Sequence, residues 1–199
     1  MPTAQEQFWQ SDFGNEYVQR CRVDWRSRVP FWRDILDRTK ARSILEVGCN
    51  IGSNLKAIRQ IDPELVAWGC DVNQAAIDEA AEAGLSVNRA SLMKLHEAYD
   101  ARPDNLFGLT FTCGVLIHVA PRDLPIAMEQ MIRASKRYVL AVEYAAEQEE
   151  EISYRGHAER LWKRPFGKLY QDKGLKLVAE FEAPSPAFDR CTAWLMERP

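Results

Sequence analysis

Ser43-Ile44-Leu45-Glu46-Val47-Gly48-Cys49-Asn50-Ile51-Gly52-Ser53-Asn54-Leu55 is the stretch that decides the fold of this 199-residue chain. An apolar run ends on an acid, turns through two glycines and enters a segment where Leu55, Ile58 and Ile61 repeat at helical spacing. This reads as a strand over Ser43–Val47, a Gly-containing loop and a helix over 54–61. The same alternation continues downstream. Residues 65–70 read as a second strand, Asn73 caps a helix over 74–83 with Gly84 beyond its end, and residues 85–89 form a third strand. Phe107–Cys113 is a fourth strand, 121–134 its crossover helix and 137–143 a fifth strand. Strands and helices in this order build a parallel α/β sheet. Residues 175–181 and Cys191–Glu197 follow one another without a helical stretch, which predicts an antiparallel pair at one sheet edge. Helices over 5–19 and 24–38 precede the sheet, and the segment 144–164 interrupts the pattern.

The composition is that of one globular domain. Hydrophobic residues make up 46% and charged residues 28%, too apolar for a disordered chain, and the length suffices for a core without metal or disulfide staples. A net charge of -3 offers phosphate backbones no overall attraction, which argues against nucleic acid as partner. Cys21, Cys49, Cys70, Cys113 and Cys191 are scattered, with no C-x-x-C spacing for zinc or redox chemistry, so reduced thiols in a cytoplasm are expected. No apolar stretch approaches a membrane span, and nothing at the N-terminus marks export. The expected partner is a small molecule, handled by a monomer or homodimer.

The loop chemistry narrows the class. A dinucleotide fingerprint needs glycines at 48, 50 and 53, where this chain has Gly48, Asn50 and Ser53, so a nicotinamide cofactor fits poorly. Asp71 closes the second strand about twenty residues on, where an acid can accept hydrogen bonds from a ribose lying across the strand ends. Alone it would be an ordinary helix cap; paired with Glu46 it is far more specific. The loop resembles motif I of the class I S-adenosylmethionine-dependent methyltransferases. What that implies is a Rossmann-like class I methyltransferase fold: a seven-stranded, mostly parallel sheet with an antiparallel edge strand and helices on both faces. Ala90-Ser91-Leu92 then falls where the superfamily holds adenine, with Lys94 in place of the acid often found nearby.

A closer resemblance is to the methyltransferases associated with pseudaminic acid biosynthesis. It runs through Phe8-Trp9, Phe13-Gly14-Asn15-Glu16-Tyr17, Asn50 to Leu55, Gly114-Val115-Leu116-Ile117-His118, Arg137-Tyr138-Val139-Leu140 and Tyr154-Arg155-Gly156-His157. Ala145-Ala146-Glu147 departs from the Asn-Pro turn usual in that family. The resemblance implies methyl transfer in sugar or surface-glycan metabolism, on one domain in four parts: a helical lid over 1–40, a cofactor core over 41–143, a substrate loop over 144–170 and antiparallel strands over 171–199. Together with the loop reading, it gives a candidate cofactor set of Tyr17, Arg20, Glu46, Gly48, Asn50, Gly52, Asn54, Asp71, Val72, Ser91, Leu92, Cys113 and Gly114. No metal is called for.

Methyl transfer is an in-line displacement in which the protein places the acceptor, excludes water and, for a hydroxyl, removes a proton. His118, just after the fourth strand, is suited to proton removal near neutrality or, on the plainer reading, is a packing or capping histidine. Glu143 and Tyr144 end the fifth strand on the same edge and complete the catalytic candidates, the plainer alternative for Glu143 being a solvent-facing strand end. Tyr154, Arg155 and His157 form the candidate acceptor site, with Arg155 and His157 matched to a carboxylate or phosphate. The expected activity is O-methylation of a small, polar, anionic metabolite such as a sugar or nucleotide-sugar. An N- or carboxyl-methyltransferase and a non-catalytic cofactor-binding protein are the alternatives.

Overall fold

The computed structural model describes residues 1–20, 22–99 and 107–199; Cys21 lies outside them. Strands β1 (Ser43–Val47), β2 (Val66–Asp71), β3 (Ser86–Arg89), β4 (Phe107–Cys113), β5 (Ser135–Tyr144), β8 (Lys176–Glu182) and β9 (Cys191–Glu197) form one seven-stranded sheet in the order β3-β2-β1-β4-β5-β9-β8. The first five are parallel, and β9 runs antiparallel to both β5 and β8. Central strands flanked on both faces are buried on both and mostly apolar. Accordingly β1 and β4 are almost wholly buried, and two large apolar clusters lie on opposite faces, one around Leu45, Met128 and Trp194, the other around Trp32, Ile44 and Phe111.

Helices α3 (Val29–Thr39), α4 (Ser53–Ile61), α5 (Gln74–Glu82), α6 (Leu95–Tyr99) and α7 (Leu124–Ala134) cover the sheet. Asn73 caps α5 as expected, its side chain accepting the Ala76 amide. The chain reverses its winding between β1 and β4, leaving a crevice outside their carboxyl ends, where open α/β sheets bind ligands.

Several local features differ from expectation. The helix expected over 24–38 begins as a 3₁₀ turn over Trp25–Arg28, and α3 follows only from Val29. The single N-terminal helix is two, α1 (Ala4–Gln10) and α2 (Asp12–Arg20), because extended Ser11 ends the first and its hydroxyl accepts the Phe13 amide of the second. Crossover helix α7 starts at Leu124 rather than 121, since Asp123 and Leu124 turn back onto the Ala120 carbonyl first. The segment after β5 is not irregular throughout: β6 (Glu150–Glu151) pairs with β7 (Trp162–Lys163), and α8 (Phe166–Asp172) seats Phe166 and Tyr170 in the core. Among the described residues no helix is long and apolar enough to cross a membrane, and no cluster of His, Cys, Asp and Glu can hold a metal ion.

Candidate active site

The crevice deepens into a cavity of about 470 Å³, lined by the loops after β1, β2, β4 and β5, roofed by α1 and α2, and closed at one end by the β8–β9 connection. Its floor is the β1 loop. Gly48 and Gly52 take left-handed backbone (φ 75° and 74°), which glycine adopts without strain. Their surroundings differ. A Cβ on Gly48 would come within 2.4 Å of the Val115 side chain on the cavity wall, whereas one on Gly52 would strike Leu85 at 2.2 Å. Gly52 is not on the cavity wall: it serves the packing of α4 rather than the approach of a ligand.

Glu46, 2% exposed, anchors the floor. Its Oε1 accepts from the Asn54 amide at 2.6 Å, and Asn54 Oδ1 accepts from Arg28 at 2.8 Å and from the Trp32 indole at 3.0 Å. Among the described residues the other Glu46 oxygen has no hydrogen-bond partner, and neither has Asn50 Oδ1. Burial pushes the Glu46 carboxyl up to about 8, against the hydrogen bond from Asn54. Asp71 ties two loops together, accepting the Asn50 and Asn73 amides at 2.9 Å each; burial raises its pKa as well. Each carboxylate keeps lone pairs for a ligand.

The roof is tied to this floor by side-chain hydrogen bonds. Asn73 donates to the Trp9 carbonyl at 2.9 Å and to Asn15 Oδ1 at 3.0 Å, and Glu6 accepts from the Ser91 hydroxyl. Gly14 is obligatory at this crossing, since a Cβ there would lie 1.9 Å from the Trp9 carbonyl oxygen. Trp9, Tyr17, Gly14 and Val18 face the cavity.

His118, Tyr144, Tyr154 and Arg155 also line the wall, with Trp9 stacked edge-on against His118 at 4.8 Å. The His118 Nδ1 lies 2.5 Å from the Arg160 carbonyl, which fixes the tautomer: Nδ1–H donates and Nε2 is left to accept. Burial lowers its pKa to about 4, so the ring is neutral at physiological pH. Tyr144 donates to Asp189 at 2.8 Å, and Asp189 also lines the cavity. Tyr154 and His157 exchange both backbone hydrogen bonds around Arg155 and Gly156, whose φ values are 51° and 84°. Two positive φ angles in a two-residue loop make a type I′ turn, a rigid tip that holds Arg155 at the cavity mouth. Arg155 has no ion-pair partner among the described residues.

The cavity therefore unites His118, Tyr144, Tyr17, Glu46, Gly48, Asn50, Asn54, Asp71, Val72, Leu92, Cys113, Gly114, Tyr154 and Arg155. Five expected residues stand elsewhere. Glu143, fully buried, is not on the wall: its carboxylate accepts the Val115, Leu116 and Ile117 amides at 3.1, 3.1 and 3.4 Å. It caps the 3₁₀ turn Leu116–His118, and fully buried Arg164 closes the other end by donating to the Leu116 and Val119 carbonyls at 2.9 Å. Ser91 is spent on Glu6 and on the Met93 amide. Arg20 pairs with Glu16 and lies over the Phe13 ring. His157 packs against Phe8 and Phe13 instead of facing an acceptor, and Gly52 meets Leu85. Sequence reasoning missed Arg28, Gln5 and Asp189, all on the wall. Arg28 lay in an expected helix with nothing to single it out; Asp189 lay in a connection between strands.

This sheet order, with the Gly48 loop at the switch point, is the fold of the class I S-adenosylmethionine-dependent methyltransferases. Magnesium protoporphyrin IX methyltransferase from Synechocystis PCC 6803, with S-adenosylhomocysteine bound, superposes with a TM-score of 0.72 at 13% identity over 98% of both chains. The 1,6-didemethyltoxoflavin-N1-methyltransferase of Burkholderia thailandensis gives 0.70 at 14% identity over 100% of this chain and 92% of that one. Human N-acetylserotonin methyltransferase gives 0.70 at 12%, over 100% of this chain and 60% of that one. No family model and no curated protein sequence matches the chain.

Proposed function

We propose that the chain is an S-adenosylmethionine-dependent methyltransferase whose acceptor is a small, polar, anionic metabolite. The observation that carries this is the pair of unpaired oxygens, Glu46 Oε2 and Asn50 Oδ1, facing a lidded cavity at the switch point of a class I methyltransferase fold. Buried acceptors without partners call for a ligand that brings donors. The cofactor's ammonium and ribose hydroxyls are such donors, for Glu46 and for Asp71 with Asn50, and Arg28 at the same end of the wall suits its carboxylate. The relatives named above, two described with S-adenosylhomocysteine and one with S-adenosylmethionine, support the same ligand.

Bound there, the cofactor supplies an electrophilic methyl group. The chain's own work is to place the acceptor and keep water out. Arg155, free and rigidly presented, holds a carboxylate or phosphate; Trp9 and Tyr154 wall the acceptor; and His118 Nε2 accepts a hydrogen bond from the nucleophile. O-methylation of a sugar or nucleotide-sugar, in line with the resemblance to the pseudaminic acid-associated enzymes, suits this set. One observation favours the second reading, N- or carboxyl-methylation. His118 is a weak base at a pKa of about 4, and Glu143 is spent on backbone amides, so a nucleophile that needs no deprotonation is also served.

Incubating the protein with methyl-labelled cofactor and panels of nucleotide-sugars, sugar acids, amines and carboxylic acids, and reading product mass, tests the proposal. Gain of one methyl group by an anionic acceptor supports it. Cofactor binding without methylation of any panel member returns the chain to a non-catalytic binding protein.

A further inference from the structure

We propose that Gln5, on lid helix α1, reads the exocyclic amine of the cofactor's adenine, a role that superfamily resemblance places after β3. The inference rests on the cavity being the cofactor site and specifies which residue selects the base. Three facts about Gln5 carry it. The residue is 8% exposed and lines the cavity. Its Nε2 donates to the Glu159 carbonyl at 3.3 Å, which leaves Oε1 as the atom still available to accept. Among the described residues that Oε1 has no hydrogen-bond partner. A carbonyl held in this way and left unpaired requires a donor from whatever fills the space.

The position fits the base rather than another part of the ligand. With the ribose on Asp71 at the end of β2, the base extends toward the next parallel strand, where Leu92 and Met93 after β3 give the cavity an apolar wall. The neighbouring residue on α1, Glu6, is bound to Ser91, immediately before that wall. Gln5 lines the same cavity as Leu92 and Met93. The other polar side chains after β3 cannot read an amine, since Ser91 is engaged by Glu6 and Lys94 is a cation paired with Glu97 at 2.9 Å, which repels a donor. Besides Glu46, Asp123 is a cavity carboxylate with an oxygen lacking a hydrogen-bond partner among the described residues, Oδ2, which lies 3.6 Å from Arg122.

The consequence is that the lid itself discriminates adenine. A purine with a 6-oxo group would set oxygen against oxygen at Gln5, and a site built around a donor rejects an analogue lacking it.

The experiment is calorimetric titration of the full chain with S-adenosylhomocysteine and with S-inosylhomocysteine, for wild type, Gln5→Met and Asp123→Asn. Wild type should prefer the adenine compound by a factor on the order of ten or more, Gln5→Met should lose most of that preference, and Asp123→Asn should keep it. Thermal unfolding of each variant shows whether the lid still folds, and the ratio of the two affinities within one variant is independent of a general weakening. Equal affinity of wild type for the two compounds overturns the role of Gln5, as does a preference that survives Gln5→Met or vanishes in Asp123→Asn. Failure of both compounds to bind wild type would instead overturn the cofactor site itself.

Discussion

Cofactor binding should be coupled to the loss of a proton from Glu46. In the free protein its burial pushes the carboxyl up to about 8, so at neutral pH it is mostly protonated, while a ligand ammonium against Oε2 requires the charged form. Binding below pH 8 must then expel that proton. If the bound carboxyl stays ionised down to pH 6, the apparent affinity for S-adenosylhomocysteine rises about tenfold per pH unit below 8 and levels off above it, roughly 50-fold between pH 6 and pH 8 in all. His118, with a pKa of about 4, contributes nothing in that window. Titration calorimetry in two buffers of different ionisation enthalpy should register close to one proton released at pH 7. Glu46→Gln keeps an oxygen for Asn54 but cannot ionise, so it should bind weakly and without pH dependence. The same shift has a sign in stability. A carboxyl whose folded pKa exceeds its unfolded value of about 4.3 leaves the folded state holding more protons, so stability falls as pH rises from there to about 8. In the absence of ligand, Glu46→Gln should lessen that fall, leaving the part due to Glu143, whose burial pushes its carboxyl up to about 7. Wild-type affinity that is flat from pH 6 to pH 8, with no proton released, would refute the reasoning.

Gly52→Val should cost about 2 kcal/mol or more of folding stability, because it strains a positive φ and drives a side chain into Leu85, and thermal unfolding will show the loss without ligand present. Arg164→Met should destabilise by about 3 kcal/mol by uncapping the Leu116 and Val119 carbonyls and leaving Glu149 unpaired, and it should lower turnover through the displaced His118; denaturant unfolding and steady-state kinetics check the two parts. Arg155→Ala should raise the acceptor's apparent KM, weaken its salt dependence and leave S-adenosylhomocysteine affinity unchanged. His118→Ala should lower turnover by roughly 10²- to 10⁴-fold if Nε2 removes a proton, and by much less if the acceptor is an amine or carboxylate.

Strands β1 and β4 were legible to the residue because each is a short run rich in apolar side chains that ends at a glycine turn, Gly48 and Gly114, and such runs suit strands buried on both faces. The β1 loop was legible because an acid and two glycines at fixed spacing have few structural uses. Its glycines were only half understood: spacing gives the turn, but Leu85, thirty-odd residues on, decides what Gly52 is for. Glu143 shows the same limit. An acid at the carboxyl end of a strand looks like chemistry, and only the path of the following turn reveals three backbone amides already aimed at it. Arg28, Gln5 and Asp189 could not be found in this way. Each reaches the cavity by tertiary packing of a helix or connection whose own pattern carries no signal.

The chemistry assigned to this chain depends on the cavity beneath α1 and α2 being a cofactor site. A crystal structure of the protein soaked with S-adenosylhomocysteine would decide it. Density is expected in this cavity, with the amino group at Glu46, the carboxylate toward Arg28 and the ribose hydroxyls at Asp71. An empty cavity at saturating ligand, or the ligand bound elsewhere, would show that the site has been misassigned.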